Sequence, residues 1–355
     1  MSKITVIGAG KTGRGFIGRL LSENGDSFAF IDKDEKLVEK LNEEGSFKVS
    51  FFGKCREEQI VASYKAYTWA DANIADSELI FVSVCGPNLK DVGAELKKRL
   101  SPDKHYYIIT CENASKPSET LKNAIGSPNV SVSEATVFCT TIDDEGLNIN
   151  SENYPYLQCD ADLLEGYVPP VGSVRPINNF GNFLTRKLFT YNAASCIIAY
   201  VGWKKGYTNY AEAANDKEIL EMLDRNYAVT NRVLCKEFGY DPADQEEFAL
   251  LSKKKFCDKT IVDTVARNAR QPQRKLGPNE RIIGPMKVID KYGEDTSVLK
   301  LTAAIMLRYT NEGEEEWDEI RKAKTAGEIL EDICDLPKGG KLYNEILEIF
   351  GQIGE

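Results

Sequence analysis

The chain has 355 residues, 42% of them hydrophobic and 28% charged, enough for two ordinary domains with packed cores. Its formal net charge of -10 excludes non-specific adhesion to nucleic acid or an anionic membrane, which need a cationic surface, but not a small anionic substrate held by local charge. No apolar run of about 18 residues is present to span a membrane, and a single histidine, His105, excludes zinc sites built on two or three.

The chain enters an apolar strand almost at once, with none of the marks of a secretory signal. Nine scattered cysteines without a CxxC pair read as buried free thiols, so a cytoplasmic location is expected. Residues 4–10, ITVIGAG, are a β-branched run ending in glycines, followed by an amphipathic helix with Phe16, Ile17, Leu20 and Leu21 on one side. Residues 27–32 form a second strand, and 33–44 a charged helix with Leu37, Val38 and Leu41 inward. Further buried strands lie at 78–84 and 105–110 with a helix at 90–100 between them, and 131–138 adds another. This alternation predicts a doubly wound Rossmann domain over residues 1–180.

From about 183 the texture is helical, over 183–205, 207–239, 244–269, 295–311 and 314–335. An all-α domain is therefore expected over 181–355, and the fold class is α/β plus all-α. The boundary falls in a Pro-, Gly- and Asn-rich stretch between about 165 and 182.

Gly8, Gly10 and Gly13 fit GxGxxG at the end of the first strand. The first makes the tight turn, the second admits the pyrophosphate and the third packs helix on strand. Ala9, Lys11 and Thr12 complete the loop, and the helix N-terminus offers free N–H groups to phosphates. Asp32 ends the second strand, where an acid accepts ribose hydroxyls and repels a 2′-phosphate, so NAD is favoured over NADP; Lys33 beside it weakens that preference. After later strands, Gly86 and Pro87 let the backbone pass near the nicotinamide ribose. Asn113 either reaches the reacting centre or caps a helix.

In the second half Lys187, Tyr191 and Ser195 are spaced i, i+4, i+8 on one helix face, with Asn192 at its edge. They are either a reactive set or an exposed polar edge. Arg267, Arg270, Arg274, Lys275 and Arg281 form a cationic block, read as an anion site or as a salt-bridged surface. Arg267 and Arg270 lie one helical turn apart, and Pro272 is expected to end that helix.

Four blocks, GAGKTGRGFIG, CENASKPSETLK, KLFTYNAASC and RNARQPQRKLGPNERIIGP, stand in the order and spacing of the polyol-specific long-chain dehydrogenases, and resemble their mannitol-1-phosphate 5-dehydrogenase branch. The resemblance implies a metal-independent, NAD-linked oxidoreductase with its active site between a Rossmann and a helical domain. It interconverts a polyol, such as mannitol 1-phosphate, and its keto sugar, fructose 6-phosphate. The family signature, Lys, four residues, Asn, two residues, His, carries Lys187 as general base and Asn192 as binder of the reacting oxygen. Asn113 matches a further family asparagine. Arg267 and Lys275 match substrate contacts, with Arg270 and Arg274 beside them. The signature's histidine position holds Ser195, which can hydrogen-bond a substrate hydroxyl but cannot carry a proton charge at neutral pH. Expected partners are the polyol or sugar-phosphate substrate, with no nucleic acid or membrane, in a monomer or homodimer. The competing readings are a sugar-acid or free-polyol reductase on the same plan, a dinucleotide-binding protein with little turnover, and a cysteine nucleophile at Cys196 or Cys257.

Overall fold

The computed structural model describes residues 3–53, 57–112 and 116–354. The chain divides into two compact units, Met1–Phe183 and Leu184–Glu355.

Among its described residues, unit one contains twelve strands: β1 (Ile4–Ile7), β2 (Phe28–Ile31), β3 (Phe47–Phe51), β4 (Glu58–Val61), β5 (Tyr64–Tyr67), β6 (Leu79–Val82), β7 (Tyr106–Thr110), β8 (Val130–Thr136), β9 (Thr141–Asp143), β10 (Ile149–Ser151), β11 (Leu157–Asp160) and β12 (Val174–Ile177). Eight of them form one sheet in the order β12-β11-β8-β7-β6-β1-β2-β5. From β5 to β8 all pairings are parallel. β11 then runs antiparallel to β8. The central strands β1, β2 and β6 are buried on both faces and so lack polar alternation. Val6, Leu79, Phe81 and Ile109 face one core; Ile7, Ile80, Val82 and Ile108 face the other. Helices Leu89–Arg99 and Pro117–Ile125 cover the second face.

Two features depart from the sequence expectation. A second sheet, β4-β3-β10-β9, packs on the helix that follows the glycines. That helix is itself irregular: Gly13–Gly18 is a π-turn, in which Arg19 N–H reaches back to Arg14 O, and only Arg19–Glu23 is regular α. Its buried side includes two arginines as well as the four expected apolar residues. Arg19 is fully buried. It pairs with Glu23 at 3.0 Å, donates to Tyr154 O at 2.6 Å and lies over the Phe16 and Phe51 rings, while its Nε has no hydrogen-bond partner. The thiol expectation fails at Cys85, which is exposed; Cys55 lies outside the described residues.

Unit two is helical, with one isolated bridge between Asn209 and Thr264 among the described residues. Three expected helices are each two. Asp216 caps Lys217–Phe238 and separates it from Tyr210–Ala214. The expected 244–269 helix is Pro242–Phe256 and Val265–Ala269. A Thr325–Glu328 capping box separates Glu315–Ala323 from Ala326–Asp332. The central helix, Ala193–Lys204, is apolar almost all round, as a helix enclosed by others must be. No helix among the described residues is long and apolar enough to cross a membrane.

Arg19 tests how unit one tolerates a buried charge. Arg19→Ala should lower unfolding stability by about 3–5 kcal/mol, through a cavity and the loss of every guanidinium contact. Arg19→Met, which refills the volume without an orphan donor, should cost clearly less. Urea midpoints of the two variants give the comparison.

Candidate active site

In unit one the strand order reverses direction at β1, with β2 on one side and β6 on the other. The carboxyl ends of β1 and β6 therefore frame the crevice where open α/β sheets bind ligands. The three glycines meet different demands there. Gly8 has φ +96°, and a Cβ on it would lie 2.1 Å from Ser83 O; a Cβ on Gly13 would lie 1.9 Å from Gly8 O. A Cβ on Gly10 would meet nothing within 4 Å. The protein's own packing therefore explains Gly8 and Gly13 but not Gly10. Open space beside a helix N-terminus is what a pyrophosphate needs, so the cradle fits a dinucleotide.

Asp32 is built into the same loop. Its Oδ2 accepts from Ala9 N–H at 2.7 Å and its Oδ1 from Asp34 N–H at 3.0 Å. Each oxygen keeps a second lone pair for a ribose hydroxyl. Beneath the loop, the buried Arg14 donates to Ala9 O and to Leu147 O, with Asp143 at 3.4 Å. Lys11 Nζ lies 3.8 Å from Asp143, and the Thr12 and Thr141 hydroxyls are 3.4 Å apart, so the β9 edge walls the loop. Gly86 and Pro87 open a 3-10 turn, Gly86–Asn88, shortly after β6. Asn113 lies outside the described residues. Its neighbour Glu112, which the sequence reading passed over, is largely buried just beyond β7. Burial pushes its carboxyl up to about 7, opposed by a hydrogen bond with the Val84 backbone. The available signal was an acid following a wholly apolar strand.

In unit two, Phe180–Lys187 runs without a break into a second π-turn, Leu188–Asn192, where Ala193 N–H reaches Leu188 O, and then into Ala193–Lys204. The sequence reading assumed 3.6 residues per turn, which sets Lys187 and Asn192 about 140° apart. A turn bonded i→i+5 brings residues five apart to one side. Tyr191 packs edge-on against Phe248 and Phe256, on the helix that also carries Lys255. Ser195 accepts a hydrogen bond from the buried Tyr210 hydroxyl at 3.1 Å.

Lys187 keeps some accessible surface along its side chain, yet its ammonium sits in a dense surround. Burial, followed by the charges of Lys255 and Arg281, lowers it from 10.5 to about 7. Lys255 was missed because nothing in a basic helix end tells which distant side chain it faces. Lys275 is buried, donates to Asn268 O and is lowered to about 8, chiefly by burial. Arg281 lies within electrostatic range of both lysines, and Arg274 within range of Lys275. Arg281 and Arg274 also face Glu280.

The other two arginines stand apart from that set. Arg267 pairs with Asp263 at 3.1 Å and is more than half exposed. Arg270 caps the end of Val265–Ala269, outside the helix, and turns back to donate to Arg267 O. Pro272 does not end that helix but begins the turn Pro272–Lys275, which carries Arg274 and Lys275. Cys196 is buried, with its thiol pushed up by burial, which suits packing rather than nucleophilic attack. Among the described residues no group of three His, Cys, Asp or Glu is placed to hold a metal.

A sequence model of the mannitol dehydrogenase Rossmann domain matches residues 2–144, and one of the mannitol dehydrogenase C-terminal domain matches residues 179–336. A mannitol-1-phosphate 5-dehydrogenase of Anoxybacillus flavithermus is 29% identical, over 96% of this chain and 97% of the relative. One from Geobacillus thermodenitrificans is 30% identical, over 78% and 79% respectively. Of solved structures, a D-sorbitol dehydrogenase in substrate-free form has a TM-score of 0.75 at 12% identity, covering 99% of this chain and 93% of that one. A Pseudomonas fluorescens mannitol 2-dehydrogenase, in ternary complex with NAD and D-mannitol, has a TM-score of 0.68 at 12% identity, covering 99% and 91%. These two are likenesses of fold. With both halves of its length matched and a relative at 30% identity over most of both chains, this chain belongs to the mannitol dehydrogenase family of oxidoreductases.

Proposed function

We propose that the protein is an NAD-dependent polyol-phosphate dehydrogenase that interconverts a hexitol phosphate and its keto sugar phosphate, with Lys187 as the proton-transferring base. The observation that carries this reading is the Lys187 amine, held at about 7 by burial and by Lys255 and Arg281. A free lysine, at about 10.4, is almost wholly protonated at neutral pH and cannot accept a proton. At about 7 both forms are present, as reversible proton transfer requires.

The cofactor is held by the Gly8–Gly13 loop and Asp32, with Gly86 and Pro87 on the nicotinamide side, and it supplies the hydride acceptor for alcohol oxidation. Lys187 takes the substrate hydroxyl proton in that direction and returns it to the keto oxygen in reduction. Asn192, and Asn113 by its family match, donate N–H to the oxygen as it gains alkoxide character. Ser195 binds a second hydroxyl. Lys275, Arg274 and Arg281 are the cations for the phosphate, because Arg281 lies within electrostatic range of both Lys187 and Lys275, and Arg274 within range of Lys275. Arg267 and Arg270 have weaker support as phosphate contacts, since Arg267 is engaged by Asp263 and Arg270 points back to its own helix.

Lys187→Ala should lower polyol-phosphate oxidation by about 10²- to 10⁴-fold while NADH still binds, as read by steady-state kinetics and NADH fluorescence. Near-normal turnover would refute the base assignment.

Wild-type oxidation should rise with pH through about 7 as Lys187 loses its proton. Keto-sugar reduction should fall over the same range, because the protonated amine is then the donor. Glu112 titrates in the same window, so the profile is also measured in Glu112→Gln, where a midpoint that stays near 7 belongs to Lys187.

Gly10→Ala should leave the melting temperature within a degree or so, since its Cβ meets nothing, yet weaken NADH binding at least about 10-fold. Unchanged affinity would remove the pyrophosphate from that position. Lys275→Met should raise KM for a hexitol phosphate by about 10-fold or more, from loss of a charged hydrogen bond, but not for the free hexitol. Equal effects on both would favour an unphosphorylated substrate.

A further inference from the structure

The π-turn at Leu188–Asn192 has poorer backbone geometry than an α-helix and persists only where its surroundings hold it. Part of the hold comes from the helix Pro242–Phe256. Gln245 on that helix is fully buried. Its Oε1 accepts from Arg186 Nε at 2.7 Å, and its Nε2 donates to Thr190 Oγ1 at 3.2 Å and Asn231 Oδ1 at 2.9 Å. The amide orientation is forced, because a guanidinium only donates and so must face the oxygen. Arg186 is fixed further by Asp244, through its side chain at 2.8 Å and its backbone O at 2.8 Å, and lies between the Tyr240 and Phe248 rings at 4.6 and 4.2 Å. Tyr191 packs on Phe248 and Phe256.

Residues 186, 190 and 191 are thus fastened to one neighbouring helix, on both sides of Lys187 in sequence. Arg186 and Gln245 need no such network for packing alone. A buried guanidinium is costly, and an apolar pair of similar volume is often as stable.

We propose that Gln245 and Arg186 are positioning residues of the polyol site: they hold the Leu188–Asn192 turn in its i→i+5 register and so keep Asn192 on the same side of the helix as Lys187. The proposal rests on the reading of Lys187 and Asn192 as the groups that meet the substrate oxygen. If the hold is released, the turn relaxes toward α geometry and Asn192 swings away from Lys187. Neither clamp residue touches substrate; each acts through the turn.

The test compares Gln245→Leu, Gln245→Glu and Thr190→Val with the full-length wild type, using a hexitol phosphate and NAD. Gln245→Leu should lower kcat about 10- to 100-fold per folded enzyme, the size of effect that misplaced catalytic groups produce. The NADH dissociation constant should stay at the wild-type value, and the pH midpoint of oxidation should move as the Lys187 surroundings change. Gln245→Glu keeps the acceptor for Arg186 and should recover part of kcat. Thr190→Val is nearly isosteric, so it tests the same link should Gln245→Leu fail to fold, and it should lower kcat several-fold at an unchanged melting temperature. A folded Gln245→Leu with wild-type kcat and pH midpoint overturns the proposal. So does a loss of activity that only follows the fraction folded. If wild type turns over no polyol phosphate, or Lys187→Ala remains active, the underlying reading fails. An inactive Lys187→Ala beside a wild-type-like Gln245→Leu sinks the clamp alone.

Discussion

An amine serves as a base near neutral pH only where it is short of water and close to other cations. That constraint organises the helical unit. Lys187 sits at the entry to a helix whose next dozen residues are mostly buried, so the segment carrying it cannot move out to solvent without opening the core. Lys255 and Arg281 reach it from separate helical segments, and their charges act in the same direction as burial. Lys275 is lowered too, to about 8, chiefly by its own burial, with Arg281 the charge that acts on both lysines. In the proposed function Lys187, the more strongly lowered of the two, is the base, and Lys275 is a cation for the phosphate.

Backbone packing does the corresponding work in the Rossmann unit. Asp32 and Arg14 hold Ala9 from its N–H and its carbonyl, so the turn is set before any dinucleotide arrives. Burying Arg14 depresses its pKa through desolvation, and the nearby acids Asp143 and Asp32 oppose that shift. A buried cation beneath a phosphate cradle also adds favourable potential where the ligand's negative charge falls, without spending a side chain on direct contact.

The glycine loop was legible in the sequence because each glycine has a local reason: a positive φ, a strand-to-helix contact, or empty space for a ligand. The parallel sheet was legible in its apolar runs. The second sheet was not. β4, with the sequence EQIV, shows no alternation and exposes most of its residues, and β9 and β10 are three residues each. β4 pairs with β3 and β9 with β10 close by in sequence, but the sheet forms only because β10 pairs with the distant β3. At the active site, the Lys187–Asn192 spacing was legible as a motif but its geometry was not. A 3.6-residue count places Lys187, Tyr191 and Ser195 on one face with Asn192 at its edge. The π-turn changes the angular spacing along this segment, and Gln245, proposed to hold it, lies more than 50 residues further along the chain.

Ser195 sharpens what this constraint leaves for substrate recognition. A histidine at that point would add a titrating group to the helical unit, where Lys187 already changes charge near pH 7. Serine brings none. Tyr210, which donates to Ser195 Oγ, is buried, with its phenol pushed well above 10, so the pair stays neutral throughout the working range. Because Tyr210 occupies an acceptor position on Oγ, the serine proton is left to point elsewhere, and a hydroxyl that donates suits a substrate oxygen acting as acceptor. The hydroxyl pair is therefore fixed and uncharged, and in the proposed function the proton traffic falls to Lys187.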